Sequence, residues 1–269
     1  KEMLATAPEI KAYPCGSYSG SFVSWRVDQP PLNDVRVRRA LSMSIDRNGI
    51  NQALLFGEGQ VVALQPPEVS SLWLALKDIP AETRKYLEYR PDEAKQLLAE
   101  AGYPKGLDFT IETTTGFGTI HVQGFEMAVD MWNKIGARGK IVFVPHQEYL
   151  ERVSGRAVYE SVAWVRPSLS EPYRFPTNMY SKSPPGENRS WVNDPELDRL
   201  VEEYQRAKGS EAQAKAAHKL QIRIAEQSYI VMLPLPMEFG LEQPYVRDFG
   251  RQGYLGYVGT FFERIWFDK

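Results

Sequence analysis

The chain has 269 residues, 43% of them hydrophobic and 25% charged, with a formal net charge of -2 at neutral pH. That composition and length allow one large core or two smaller ones. The charge balance argues against nucleic acid or an anionic membrane surface as partner, the single cysteine excludes an internal disulfide, and no apolar run approaches the ~20 residues of a membrane-spanning helix.

Lys1–Gly20 carries Pro8, Pro14, Gly16 and Gly20 and reads as irregular. Its opening lacks the apolar centre of a signal peptide, so an exported form is expected to carry its export signal upstream. Cys15 follows Ala-Tyr-Pro, which does not resemble a lipoprotein attachment site, and reads as a free structural thiol. Ser21–Val27 alternates as a short strand. Pro30–Arg47 reads PPLNDVRVRRALSMSIDR. Asn33 and Asp34 can cap a helix whose Val37, Ala40, Leu41, Ser44 and Ile45 share one stripe. Arg36, Arg38, Arg39 and Arg47 fall mostly off that stripe, and a solvated helix face is their expected setting. Helix continues over Arg47–Phe56, with Gly57 as its stop. In Tyr89–Pro104, Pro91 suits the first helical position, Asp92 and Glu93 favour the amino-terminal dipole, and Gly102 ends the helix. Ala94, Leu97, Leu98 and Ala101 form its inward stripe.

Leu107–Thr113 alternates as a strand, and a turn with Gly116 and Gly118 leads into a helix over His121–Ile135, closed by Gly136. Lys140–Val144 is a strand, Gln147–Val153 a short helix, and Ser161–Val165 another strand. Alternating strands and helices predict an α/β lobe with a largely parallel or mixed sheet. Trp164–Asn193 is a long loop rich in Pro, Ser and Asn, and such loops are functional or mobile. A helix runs from Asp194 to about Lys208. Ser210 and Gln213 form a capping-box pattern for the next one, which reaches about Gln227. Tyr229–Leu235 is a buried strand, and the tail from Glu238 holds short strands and turns.

Enzyme signatures are absent. His121, His146 and His218 share no metal-ligand spacing, Gly16–Gly20 has Tyr18 where a nucleophile elbow needs serine, and no phosphate-binding loop occurs. The Gly116–Gly118 turn lacks the third glycine of a dinucleotide fingerprint. No cofactor or metal is expected.

Pro30–Arg47 resembles the signature segment of the family 5 extracellular solute-binding proteins, the oligopeptide- and dipeptide-binding group of ABC importers. Pro30, Pro31, Asp34, Val35, Arg36, Val37, Arg38, Ala40, Leu41, Ile45, Asp46 and Arg47 match it without a gap. Tyr89–Pro104 is also similar, except that Arg90 stands where the family has a capping Asp. The resemblance implies a periplasmic-binding-protein type II-like α/β lobe, a mixed sheet flanked by helices. It implies that residues 1–269 form one carboxyl-terminal ligand-binding lobe. Within it, 1–27 would be hinge-proximal, 28–237 the α/β core, and 238–269 a tail packing toward an amino-terminal lobe. A peptide-like or other small solute, an ABC permease in the membrane and that second lobe are the implied partners, with action as a monomer in the periplasm or outside the cell. A ligand-sensing module of a regulator is the alternative.

In the family, a strand ending in Trp leads into a cleft loop of the form Trp-x-x-Asp-x-x-(Asp/Glu)-Pro, and Trp164, Glu171 and Pro172 match. The loop Asp, which pairs with a peptide's α-ammonium, falls on Pro167 or Ser168, and neither supplies a negative charge. The resemblance thus points to Trp164, Arg166, Ser168, Glu171, Tyr173 and Arg174 as ligand-binding residues. Arg166 and Arg174 suit carboxylate or phosphate groups, Trp164 and Tyr173 suit stacking, and Glu171 can brace the loop. The Gly116–Thr119 turn is a weaker candidate to face the cleft.

Overall fold

The computed structural model describes residues 6–16, 20–64, 72–153, 159–166, 179–183, 187–247 and 266–267. Five strands form the central sheet: β2 (Gly20–Trp25), β3 (Leu107–Thr113), β4 (Ala137–Phe143), β5 (Ser161–Arg166) and β6 (Ile230–Met232), in the order β4-β3-β5-β2-β6. β4, β3 and β5 are parallel, and β2 runs antiparallel to both β5 and β6. The sheet is therefore mixed, as the alternation of strands and helices predicts.

Strand alternation sends neighbouring side chains to opposite faces, and each face has its own core. Val23, Trp25, Phe109, Ile111, Ala163 and Val231 face one helical layer. That layer comprises α1 (Val35–Met43), α2 (Arg47–Leu55), α3 (Pro91–Glu100) and α4 (Thr119–Lys134). Its centre is an edge-packed trio of Trp25, Phe109 and Trp132, with centroids 5.6–6.1 Å apart. Phe22, Val162, Trp164, Ile230 and Met232 face the other layer. There stand α5 (His146–Glu151), α6 (Pro195–Arg206) and α7 (Ser210–Gln227). The result is a three-layer α/β unit.

The arginines of the signature segment depart from expectation. Arg36 is exposed and pairs with Asp34, the cap of α1. Arg38 and Arg47, however, are only 3% and 5% exposed. Arg38 donates to the carbonyls of Leu32, Asn33 and Gln227. Arg47 donates to the carbonyls of Ser42, Leu87 and Met232. Neither forms an ion pair among the described residues. Burial lowers both to a pKa of about 10, which leaves them charged at neutral pH. A guanidinium can satisfy several carbonyls at once, so these side chains join α1, α2, the 85–87 turn, β6 and the end of α7.

Other differences concern single elements. Lys11–Gly16, read as irregular, is a strand (β1) paired antiparallel with β7 (Met237–Glu242), outside the central sheet. Its partner lies more than 200 residues away, and no local pattern reveals it. α1 ends at Met43, and Asp46 caps α2 through the Gly49 N–H, so Ser44 and Ile45 sit between two helices. The cap of α7 is Gly209, with no side-chain cap bond from Ser210. Arg90 likewise gives α3 no cap bond and pairs instead with Glu88 and Glu93. In the tail, β8 (Val246–Arg247) pairs with β9 (Trp266–Phe267).

Asp194 ties the second layer together. Its Oδ1 accepts from the Glu196 N–H at the start of α6, and its Oδ2 accepts from Arg223 and Tyr229. Burial pushes its carboxyl up, but the Arg223 and Tyr229 hydrogen bonds outweigh this and hold it below its ordinary 3.8. Asp194→Ala removes the cap and leaves the Tyr229 hydroxyl buried without its acceptor. It should destabilise the fold by about 2–3 kcal/mol in urea unfolding. The depressed carboxyl contributes stability at pH above 3.8 and loses it as pH falls below that value. The gap between parent and variant should therefore close in acid.

Candidate functional site

In open α/β sheets, ligands bind outside the carboxyl ends of the strands, at the point where chain connections diverge. Here β3 connects outward to β4, while β5 connects the other way to β6, and β3 and β5 are neighbours. The divergence lies beyond Thr113 and Arg166. The same edge receives the ends of β4 and β6, the start of β2 and the end of α2.

The turn after β3 is built from small residues. Thr114 accepts from the Gly116 N–H, and Gly118 adopts a left-handed φ of 89° before α4. A side chain at Gly116 would come within 2.7 Å of the His146 ring. Phe117 stands edge-on to His146, Tyr149 and Trp164, with centroids 5.5–5.8 Å apart. The turn read from sequence as a weaker candidate thus lies beside the end of β5.

Trp164 is 8% exposed. The Arg189 guanidinium lies 4.5 Å over its ring, and Tyr149 packs 5.5 Å away. Its ring faces are occupied by protein, so it is a member of the second core more than an open stacking surface. Its indole N–H is buried without a hydrogen-bond partner among the described residues. Burial lowers the pKa of Arg189 and raises that of Tyr149. Arg166 ends β5 opposite Gly20, with its backbone at the carboxyl edge. Ser168, Glu171, Tyr173 and Arg174 lie outside the described residues.

A pair that sequence reasoning missed stands nearby. Ser21, second residue of β2, lies 2.6 Å from Nδ1 of His121 in the first turn of α4. With the hydroxyl donating, the imidazole is the neutral tautomer carrying its proton on Nε2. Burial lowers the His121 pKa, which favours that neutral form. Around the pair lie Leu54, Leu55, Ile120, Leu233, Pro234 and Pro236. The two residues are 100 positions apart, and a histidine on an amphipathic helix carries no local signal of a partner.

The edge therefore offers an imidazole, the exposed Thr115 and Thr119, backbone N–H groups at the start of α4 and apolar walls. Among the described residues no three His, Cys, Asp or Glu side chains gather to hold a metal ion, and no helix is long and apolar enough to cross a membrane.

Known proteins share this architecture. An oligopeptide-binding protein, AppA, from Bacillus subtilis, solved with a nonapeptide, superposes with a TM-score of 0.80 at 20% identity, over 100% of this chain and 54% of its own. Heme-binding protein A of Haemophilus influenzae is 24% identical over 96% of this chain and 47% of its own length. The periplasmic oligopeptide-binding protein OppA of the same species is 30% identical over 81% of this chain and 40% of its own. The chain thus spans about half the length of the relatives it matches. The family model described as "Bacterial extracellular solute-binding proteins, family 5 Middle" matches residues 2–187. By that match and by its fold, the chain belongs to the family 5 bacterial extracellular solute-binding proteins.

Proposed function

We propose that the chain is the carboxyl-terminal lobe of an ABC-importer substrate-binding protein. It grips a peptide-like or other small solute at the carboxyl edge of its sheet, against an amino-terminal lobe. The observation that carries this reading is the divergence of connections between β3 and β5. It brings the Thr113–Gly118 turn, the Ser21–His121 pair and the end of β5 to one edge. Relatives named for heme, dipeptide and oligopeptide binding support a broad solute range. The lobe works by binding and release, without catalysis, as a monomer in the periplasm or outside the cell, and hands its solute to a membrane permease. Closure follows from the solute touching both lobes, since it then favours the closed state by its differential affinity.

Native mass spectrometry of the two-lobed protein, before dialysis, tests the reading. A defined extra mass released on denaturation would identify the solute, and turnover of that solute would contradict a pure binding role. A second test addresses Arg166. If its guanidinium meets an anionic group of the solute, Arg166→Ala should weaken binding by about 1–3 kcal/mol in titration calorimetry. Unchanged affinity would return it to an ordinary surface ion pair.

A further inference from the structure

A third arginine enters the interior of this fold on different terms from the first two. Arg38 and Arg47 each donate to three backbone carbonyls. Among the described residues Arg189 donates to no acceptor and forms no ion pair, and its Nε is buried. Its guanidinium lies 4.5 Å over the ring of Trp164, whose own buried indole N–H also lacks an acceptor. The nearby hydroxyls are directed elsewhere: Tyr149 donates to the Ala163 carbonyl, and Tyr159 to the carbonyl of Arg189 itself. The Trp25 indole is also unpartnered, but it sits in the other core among apolar side chains, with no cation over its ring among the described residues. A buried donor without an acceptor costs free energy, and a buried charge costs more. Two such donors side by side, one of them cationic, call for a partner.

The donors define the chemistry of that partner. A guanidinium beside a second N–H suits an anion, and the side of the guanidinium that includes Nε matches the two oxygens of a carboxylate. Arg189 is only half-buried, which leaves the pair a route to solvent. Phe117, packed on the same tryptophan, belongs to the turn after β3, so the pair stands one ring away from the carboxyl edge. We infer that Arg189 and Trp164 form a binding site for a carboxylate, the guanidinium pairing with the anion and the indole N–H donating to it. The source of the carboxylate is an acidic group of the solute rather than a free small acid, and that assignment rests on the carboxyl-edge reading.

Acetate is the probe, exchanged for chloride at constant ionic strength while the chain is melted. At ten times its dissociation constant it should raise the parent's melting temperature, saturably, by about 2–3 °C. Arg189→Met keeps apolar volume over Trp164 but donates nothing. It should abolish that rise and leave the melting temperature in chloride unchanged or higher, because a charge without an acceptor is gone. Trp164→Phe should weaken acetate about five-fold. Arg138→Met, at the surface ion pair with Asp108, should keep the full rise. No saturable rise in the parent, a full rise in Arg189→Met, unchanged acetate affinity in Trp164→Phe, or an equal loss in Arg138→Met would each overturn the inference. So would a fall of more than about 3 °C in chloride for Arg189→Met, the mark of an arginine that serves the fold. In the two-lobed protein, Arg189→Met should weaken the co-purified solute at least about ten-fold in titration calorimetry. Unchanged solute affinity, with solute-induced hydrogen-exchange protection at residues 113–121, would overturn the solute as source and this inference alone. Acetate binding as expected without that protection would break the carboxyl-edge reading and leave the carboxylate site standing.

Discussion

Arg47→Met should destabilise the fold by about 3 kcal/mol, the largest single-residue effect expected outside the aromatic core. The guanidinium donates to the carbonyls of Met232, Leu87 and Ser42, and also to the Ser42 hydroxyl, at 2.9–3.2 Å. Methionine fills much of the volume but donates nothing. The acceptors stay buried and lose partners that water cannot replace. Exchanging a buried polar group for an apolar one is nearly neutral only when its partners change too, and backbone carbonyls cannot. In urea unfolding the midpoint should fall with little change in slope, which separates lost stability from a changed unfolded state. A loss below about 1 kcal/mol would place Arg47 effectively in water, as the helical periodicity of its segment suggests. The effect reaches the site as well, because Met232 ends β6 and leads through Leu233 and Pro234 to the His121 pocket.

The isolated chain should bind the natural solute at least about 100-fold more weakly than the proposed two-lobed protein, a difference of about 2.7 kcal/mol. The carboxyl edge presents one wall: the β3 turn, the Ser21–His121 pair and the end of β5. A solute held there would keep one side in water. Contacts to the second lobe, and the exclusion of water on closure, would both be missing. The loss exceeds what any single side chain at this edge should supply, because it removes a whole set of contacts. Titration calorimetry on the two forms with the same solute measures it. Equal affinities would mean that the site is complete within these residues.

Much of the fold is legible in the residue pattern, for identifiable reasons. Pro30–Arg47 and Tyr89–Gly102 combine caps, apolar stripes and stop signals that agree with one another, and their helices form close to the expected bounds. Gly102, Gly118 and Gly136 all take positive φ where a helix begins or ends. What stayed hidden is long-range. Arg38 and Arg47 look like solvated charges because a helical wheel does not show that the far side of the stripe faces free carbonyls. β1 contains Pro14 and Gly16, and its pairing with β7 depends on chain over 200 residues away. Ser210 stands at a helix start, yet it does not supply the expected cap.

The site divides in the same way. Trp164 is a candidate from the resemblance and the Gly116 turn a weaker one beside it, and the fold packs Phe117 of that turn against Trp164. Ser21 and His121 are not candidates from sequence, since only the fold joins the start of β2 to the start of α4.

The most direct test of the account is hydrogen exchange on the two-lobed protein, with its co-purified solute and after that solute is stripped. Protection should rise at residues 113–121 and 161–166 and stay unchanged at 25–28 and 187–192, on the opposite edge of the sheet. Protection confined to that opposite edge, or to the outer surface of α6 and α7, would contradict a solute site at the carboxyl ends of β3 and β5.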